Sequence, residues 1–243
     1  MPPAVPAAAA VARHPHLGDD RRDGWVRVDL HSHTMWSGDA TTTPDELREA
    51  IAEAGIDVLC ITDHGTINGA VELAQSGALG CRVIVGEEVR TSAGEIIGLF
   101  LTERLPFGMR PEEAVHAIRD QGGVAYVPHP FDPARHCMSE PALESLAATG
   151  ALDAIEVFNA KVSLQHLNRR ASDFASAHGL AGGGGSDAHV ASAIGAAYVE
   201  MPDFDDGSPA SFLQSLRAGR VVGHHYDAPR EWRPRVVPST KAL

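Results

Sequence analysis

Residues 28–39 read VDLHSHTMWSGD. A strand-like run, Val26 to Leu30, ends in His31, Ser32 and His33, and a carboxylate, Asp39, follows a few residues later. Side chains alternate along an extended chain, so His31 and His33 project to the same side. A sheet or barrel offers two imidazoles to one cation in this way. The HxH pattern alone is a weak signal, because solvated and core histidines also produce it. The rest of the chain decides.

The chain has 243 residues, of which 44% are hydrophobic and 21% charged, an ordinary globular composition with room for one large α/β domain or two small ones. Its formal net charge of −12 argues against an extended nucleic-acid surface, which needs basic stripes. A local basic pocket for a small anion stays open, and bound divalent cations would offset part of the charge. Cys60, Cys81 and Cys137 form neither a CxxC pair nor an even-numbered framework, as in a reducing compartment. Cys60 sits in an apolar run and reads as a core residue; Cys137 lies in a polar loop. No run approaches the roughly 18 apolar residues of a membrane span. Residues 1–23, rich in Ala and Pro, lack the basic start and apolar stretch of a signal peptide and read as a disordered tail in which His14 and His16 are solvated. A cytoplasmic protein is expected.

Short apolar runs then alternate with helical patterns. Strands are predicted at 26–30, 57–62, 82–87, 95–101, 123–128, 153–158 and 180–185, several too apolar to have one wet face, as expected of parallel strands covered on both sides. Thr43-Pro44-Asp45-Glu46 opens a helix, with Thr at the N-cap, Pro in the first turn and acids near the positive end of the dipole. Pro111-Glu112-Glu113 opens another, running to Gln121 and closed by Gly122-Gly123. Further helices are predicted over 162–178 and 208–218. This alternation implies α/β with a parallel sheet, open or closed. Nothing divides residues 24–225, which read as one domain; 226–243 has too many prolines for a helix.

The histidines and acids fall at strand ends. His31 and His33 follow the first strand, Asp63-His64 the second, and Glu87-Glu88 close the third; His129 follows the fifth, Asp187 and His189 the seventh. Parallel α/β proteins bind ligands at this face. Scattered core histidines would not choose the same end of every strand, so the joint pattern implies a metal site.

DLHSHT, TDHG, GEE, PHPF and GSDAH, in this order, resemble the five signature segments of the PHP superfamily (polymerase and histidinol phosphatase domain), over residues 26 to about 223. The resemblance implies a distorted (β/α)7 barrel with the active site at the C-terminal ends of the strands. It also implies two or three divalent ions (zinc, manganese or iron) and phosphoesterase activity. Carried over residue by residue, one metal takes His31, His33, Glu88 and Asp187; a second shares Glu88 and takes His129; a third takes His64, His189 and Asp39. Glu88 is preferred to Glu87 because the family's glutamate directly precedes Val or Ile. Glu88, His64, Asp187 and His189 are the residues expected to carry catalysis. Some relatives give the middle metal another histidine from between the third and fourth segments. Here the only histidine in that interval is His116, within a predicted helix, so the middle position is expected to be completed by water or to bind weakly.

Mixed His and carboxylate ligands without thiolates suit a catalytic site. The expected chemistry is attack of a metal-activated hydroxide on the phosphorus of a small phosphorylated metabolite or nucleotide. Arg135 and Lys161 are candidates for holding the phosphate, His136 for protonating the leaving alkoxide, and Glu156 and Asn159 for touching substrate. Asp29 and Asp63 either orient the neighbouring imidazoles or cap strand ends. His224 and His225 have no assigned role. The glycine run 182–185 reads as tight packing behind Ser186-Asp187-Ala188-His189. Three other readings stay open: a nuclease-like phosphodiesterase on short oligonucleotides, an amidohydrolase-type hydrolase, and a non-catalytic binding module.

Overall fold

A computed structural model describes residues 22–225. The predicted tails, apart from Arg22 and Asp23, lie outside the described residues, His14 and His16 among them. The seven predicted strands are present as β1 (Trp25–Ser32), β2 (Val58–Ile61), β3 (Arg82–Thr91), β4 (Gly94–Leu99), β5 (Val124–Val127), β6 (Ala154–Asn159) and β7 (Ala181–Gly185). Two more, β8 (Ala197–Pro202) and β9 (Arg220–Gly223), extend the sheet, whose order is β7-β6-β5-β4-β3-β2-β1-β8-β9. Among the described residues, six α-helices connect them: α1 (Pro44–Ala54), α2 (Asn68–Ser76), α3 (Pro111–Asp120), α4 (Glu140–Ala148), α5 (Gln165–His178) and α6 (Pro209–Ala218). No described helix is long and apolar enough to cross a membrane.

The ends of β1 and β7 meet, although they are not paired as strands. Asp187 N–H donates to the His31 carbonyl at 2.8 Å, and His33 N–H to the Ala188 carbonyl at 2.9 Å. Below this seam, apolar side chains from β1 to β8 join one cluster, among them Val28, Val58, Ile84, Ile97, Tyr126, Ala154, Ala181 and Val199. Strands from both sides of a nine-stranded sheet share a core only when the sheet curls round it. The result is a nearly closed, barrel-like α/β domain. Helices pack outside: α1 and α2 through Leu47, Ile51 and Leu73, and α3 to α5 through Ile118, Leu143 and Leu167.

Local chemistry sets the elements. Thr43 caps α1 in a reciprocal capping box with Glu46, and Pro44 opens its first turn. The helix stops at Gly55, whose φ of 63° suits a residue without Cβ. Two strands depart from the expected parallel sheet: β8 runs antiparallel to both β1 and β9, and β4 to both β3 and β5. Thr91 pairs with Gly94, so only Ser92 and Ala93 connect β3 to β4, and a parallel crossover needs about a dozen residues. The hairpin also carries β3 to Thr91, beyond its predicted end, so Glu88 sits within the strand. The β4 N-terminus therefore lies at the end of the barrel where the other strands of the site terminate.

Candidate metal centre

The strand ends deliver their side chains to one buried point. His31 Nε2 and His33 Nε2 are 3.1 Å apart, and each is 3.2 Å from Glu88 Oε2. Asp187 Oδ1 stands 3.9 Å from the first nitrogen and 3.6 Å from the second. Glu88 turns its other oxygen to His129, with Oε1 3.0 Å from Nε2. On the outer side, Asp39 Oδ2 is 3.4 Å from His64 Nε2 and 3.3 Å from His189 Nε2. All eight residues assigned to metals on the basis of the resemblance are thus brought together, with Asp39 the most exposed.

Such a gathering of imidazoles and carboxylates suits cations. Donors sharing one ion at about 2.0–2.2 Å stand roughly 3.0–3.5 Å apart, close to the spacings observed. The charges respond to this crowding. Burial disfavours an ionised Glu88, yet His31, His129 and His33 hold its carboxyl well below the usual range. Burial and the neighbouring His189 and His64 keep His33 neutral, its pKa well below the ordinary imidazole value. Burial also opposes a charge on His31, but Glu88, Glu156 and Asp187 raise it well above that value; His64, against its own burial, is raised to about 9 by Asp39 and Glu88.

A raised imidazole pKa means a proton that a cation must displace. Metal uptake at neutral pH is therefore expected to release protons, with affinity rising with pH until His64 deprotonates near 9. Calorimetry of Mn²⁺ binding in buffers of different ionisation enthalpy checks this. Proton-neutral uptake at pH 7 would contradict it.

The supporting groups lie behind and beside the cluster. Glu156 and Asn159, candidates for touching substrate, are each 1% exposed and already engaged by the protein. Glu156 Oε1 lies 3.2 Å from His31 Nδ1, the arrangement that leaves Nε2 for a cation, while Oε2 accepts from the His129 and Asn159 N–H groups. Asn159 also donates to Asp187 Oδ2 at 3.3 Å. Both side chains thus bear on residues of the cluster, Glu156 on His31 and His129 and Asn159 on Asp187. Asp29 takes the backbone N–H groups of His31, Ser186 and Gly195, and Asp63 takes both the N–H and hydroxyl of Thr34. Their carboxylates therefore pin loops. Glu87 points away from the cluster, fully buried, and accepts from Leu105 N–H at 2.6 Å. His116 is exposed on α3.

Arg135 and Lys161 reach the inner edge of the cluster. Arg135 Nη1 is 3.5 Å from Asp187 Oδ2, and Lys161 Nζ is 3.5 Å from Asp187 Oδ1 and 2.7 Å from His189 Nδ1. Arg135 also donates to the Lys161 carbonyl, which ties the two loops together. His136 is exposed on the same loop as Arg135. His225 Nδ1 lies 3.2 Å from the Ala160 carbonyl, outside the cluster.

Two residues of the cluster sit on backbone that side chains rarely adopt, His129 at φ 27° and Asp187 at φ 49°. Such strain, on the order of 1–3 kcal/mol per residue, gathers at functional sites. One residue of the cluster went unpredicted. Glu95, on β4, is 5% exposed, and its Oε2 lies 3.9 Å from His129 Nε2. In a parallel β4 it would have stood at the opposite end of the barrel. The signal available was the two-residue connection before it.

Comparison with known proteins agrees with this geometry. The chain matches the PHP domain over residues 29–136 and the PHP-associated region over 165–221. It is 38% identical to the uncharacterized protein MJ1587 of Methanocaldococcus jannaschii, across 56% of this chain and 82% of that one. It is also 33% identical to MJ0417 of the same organism, across 79% of each. Its fold resembles that of a Bacteroides vulgatus two-domain protein containing a predicted PHP-like metal-dependent phosphoesterase, with a TM-score of 0.64 at 20% identity over 84% of this chain and 67% of that one. With the five segments folded around one cluster of imidazoles and carboxylates, the chain belongs to the PHP family.

Proposed function

We propose that this protein hydrolyses phosphoesters of small molecules at a cluster of two or three divalent cations. His31, His33, Glu88 and Asp187 would hold one ion, Glu88 and His129 a second, and His64, His189 and Asp39 a third. When bound, such ions supply Lewis acidity, polarising phosphoryl oxygens and acidifying water. The observation that carries the phosphoester reading is the pair of cations beside the cluster. Arg135 and Lys161 are 16% and 17% exposed at their side chains, open enough to reach substrate, whereas His31 and His33 are wholly buried. Both aim at Asp187, so an anionic group entering there meets two fixed positive charges. We assign to His136 the proton for the leaving oxygen. The net charge of −12 and a 5% aromatic content favour a small substrate over a long single strand, which needs basic grooves and stacking platforms.

The test is a panel supplied with Mn²⁺ or Zn²⁺: sugar phosphates, nucleoside mono- and bisphosphates, short oligonucleotides, a lactone and an amide. Phosphate release from monoesters is expected to dominate. Lys161→Met is expected to raise KM for the best monoester roughly 10–100-fold, since hydrogen bonds to charged groups contribute about 1.5–3 kcal/mol. Faster turnover of the lactone or amide would move the protein to amidohydrolase chemistry. Faster turnover of oligonucleotides would make it a diesterase.

A further inference from the structure

We infer that Glu95 is a ligand of the middle cation, and that it makes this position selective for a hard, oxygen-preferring ion such as Mn²⁺ over Zn²⁺. The inference rests on the presence of the metal cluster proposed above, and is independent of which ester is cleaved.

The antiparallel β4 starts at the metal face, and its second residue is Glu95. Gly94, at φ 130°, makes the tight entry possible: a Cβ there would stand 2.3 Å from Met138 Cα. The Glu95 backbone N–H donates to the His136 carbonyl at 2.8 Å, and Arg90 Nη2 donates to Oε1 at 3.4 Å. Position and orientation are thus fixed from two sides, leaving Oε2 directed at His129. The 3.9 Å between Oε2 and His129 Nε2 is too long for a hydrogen bond. It is only a few tenths of an ångström beyond the spacing of two donors on one ion. Glu88 Oε1, 3.0 Å from the same nitrogen, supplies the third donor, and the three atoms lie within 4.8 Å of one another.

The donor chemistry sets the preference. The middle position is built from two carboxylates and one imidazole. The other two are richer in imidazole: His31 and His33 beside Glu88 and Asp187, and His64 and His189 beside Asp39. Carboxylates suit Mn²⁺ and Mg²⁺, imidazoles suit Zn²⁺. A carboxylate therefore stands where the sequence alone left water or weak binding.

The experiment measures bound metal. Full-length protein is stripped with chelator and re-equilibrated with Mn²⁺ or Zn²⁺; content is read by mass spectrometry and affinity by calorimetry. Wild type is expected to take three Mn²⁺ equivalents. Glu95→Gln, nearly isosteric, should keep two and weaken the third by roughly 100-fold, at or beyond the upper end seen when groups that merely orient ligands are lost. Glu95→His should recover a third equivalent, now with Zn²⁺ preferred. The two equivalents retained in Glu95→Gln report an intact fold. A Glu95→Gln variant holding its third Mn²⁺ with unchanged affinity, or a wild type that never takes a third, would overturn the assignment. Because no turnover is read, a protein that shows this pattern and hydrolyses no phosphoester would sink only the proposed function.

Discussion

Glu88→Ala is expected to lower metal-dependent turnover by at least roughly 10³-fold, the scale of several kcal/mol of transition-state charge stabilisation. The two oxygens of this one side chain reach four histidines. Oε2 lies 3.2 Å from His31 and His33 and 3.5 Å from His64, and Oε1 lies 3.0 Å from His129. No neighbour can take its place, because Glu87 faces the other side of β3 and Glu95 reaches only the His129 side. Removing it should therefore detach at least two cations. It also leaves crowded, buried imidazoles without their central anion, and deleting one partner of a buried charged set costs about 3–5 kcal/mol. Metal content, urea midpoint and phosphate release should fall together in this variant. Unchanged metal content with turnover within tenfold of wild type would contradict the bridging role.

Gly185→Ala should be nearly as damaging without removing any polar group. A Cβ at 185 would stand 2.3 Å from His31 Cβ, 2.6 Å from Glu156 Oε1 and 3.0 Å from His31 N. The first and last of these are fixed by backbone and cannot rotate away. Overpacking typically costs about 1–3 kcal/mol, and this site belongs at or above the upper end. The seam between β1 and the end of β7 would open, carrying His31 away from Glu88. Gly207→Ala is the matched control: nothing lies nearer than 3.6 Å to its added Cβ, and the effect should stay within about 0.5 kcal/mol. Urea midpoints and Mn²⁺ affinity measured on both variants check the contrast, which equal midpoints would remove.

These two residues also mark what the sequence makes legible. His31, His64, His129 and Asp187 were readable as one site because each follows an apolar run, and runs of parallel strands end on one face. The glycine run was readable as close packing, and the structure gives the contacts: Gly183 leaves room for the Tyr126 ring and Gly185 for His31. The direction of β4 was less legible. An apolar run looks the same in either direction, and only the short connection Ser92–Ala93 distinguishes them. Missing that turn hid Glu95 as well. Glu156 and Asn159 end a strand on the face of the site, which makes them candidates for touching substrate, and the structure places them 1% exposed and bonded to each other. Whether such a side chain meets substrate or a neighbouring ligand depends on how deep it sits, which spacing does not encode. Helix α2 lacked a start signal, having no side-chain cap and no acid in its first turn. Strand β9, Arg220–Gly223, has only two apolar residues and none that is fully buried, so it shows no apolar run to read.

In the function proposed here, the cluster binds cations and, through them, hydrolyses phosphoesters. The most direct measurement follows inorganic phosphate release from a monoester panel while Mn²⁺ is titrated into metal-free protein, with bound metal counted in the same samples. Turnover that rises with bound metal, disappears with chelator and returns on adding Mn²⁺ is the predicted result. Fully loaded protein that releases no phosphate, or turnover indifferent to chelator, would contradict the account.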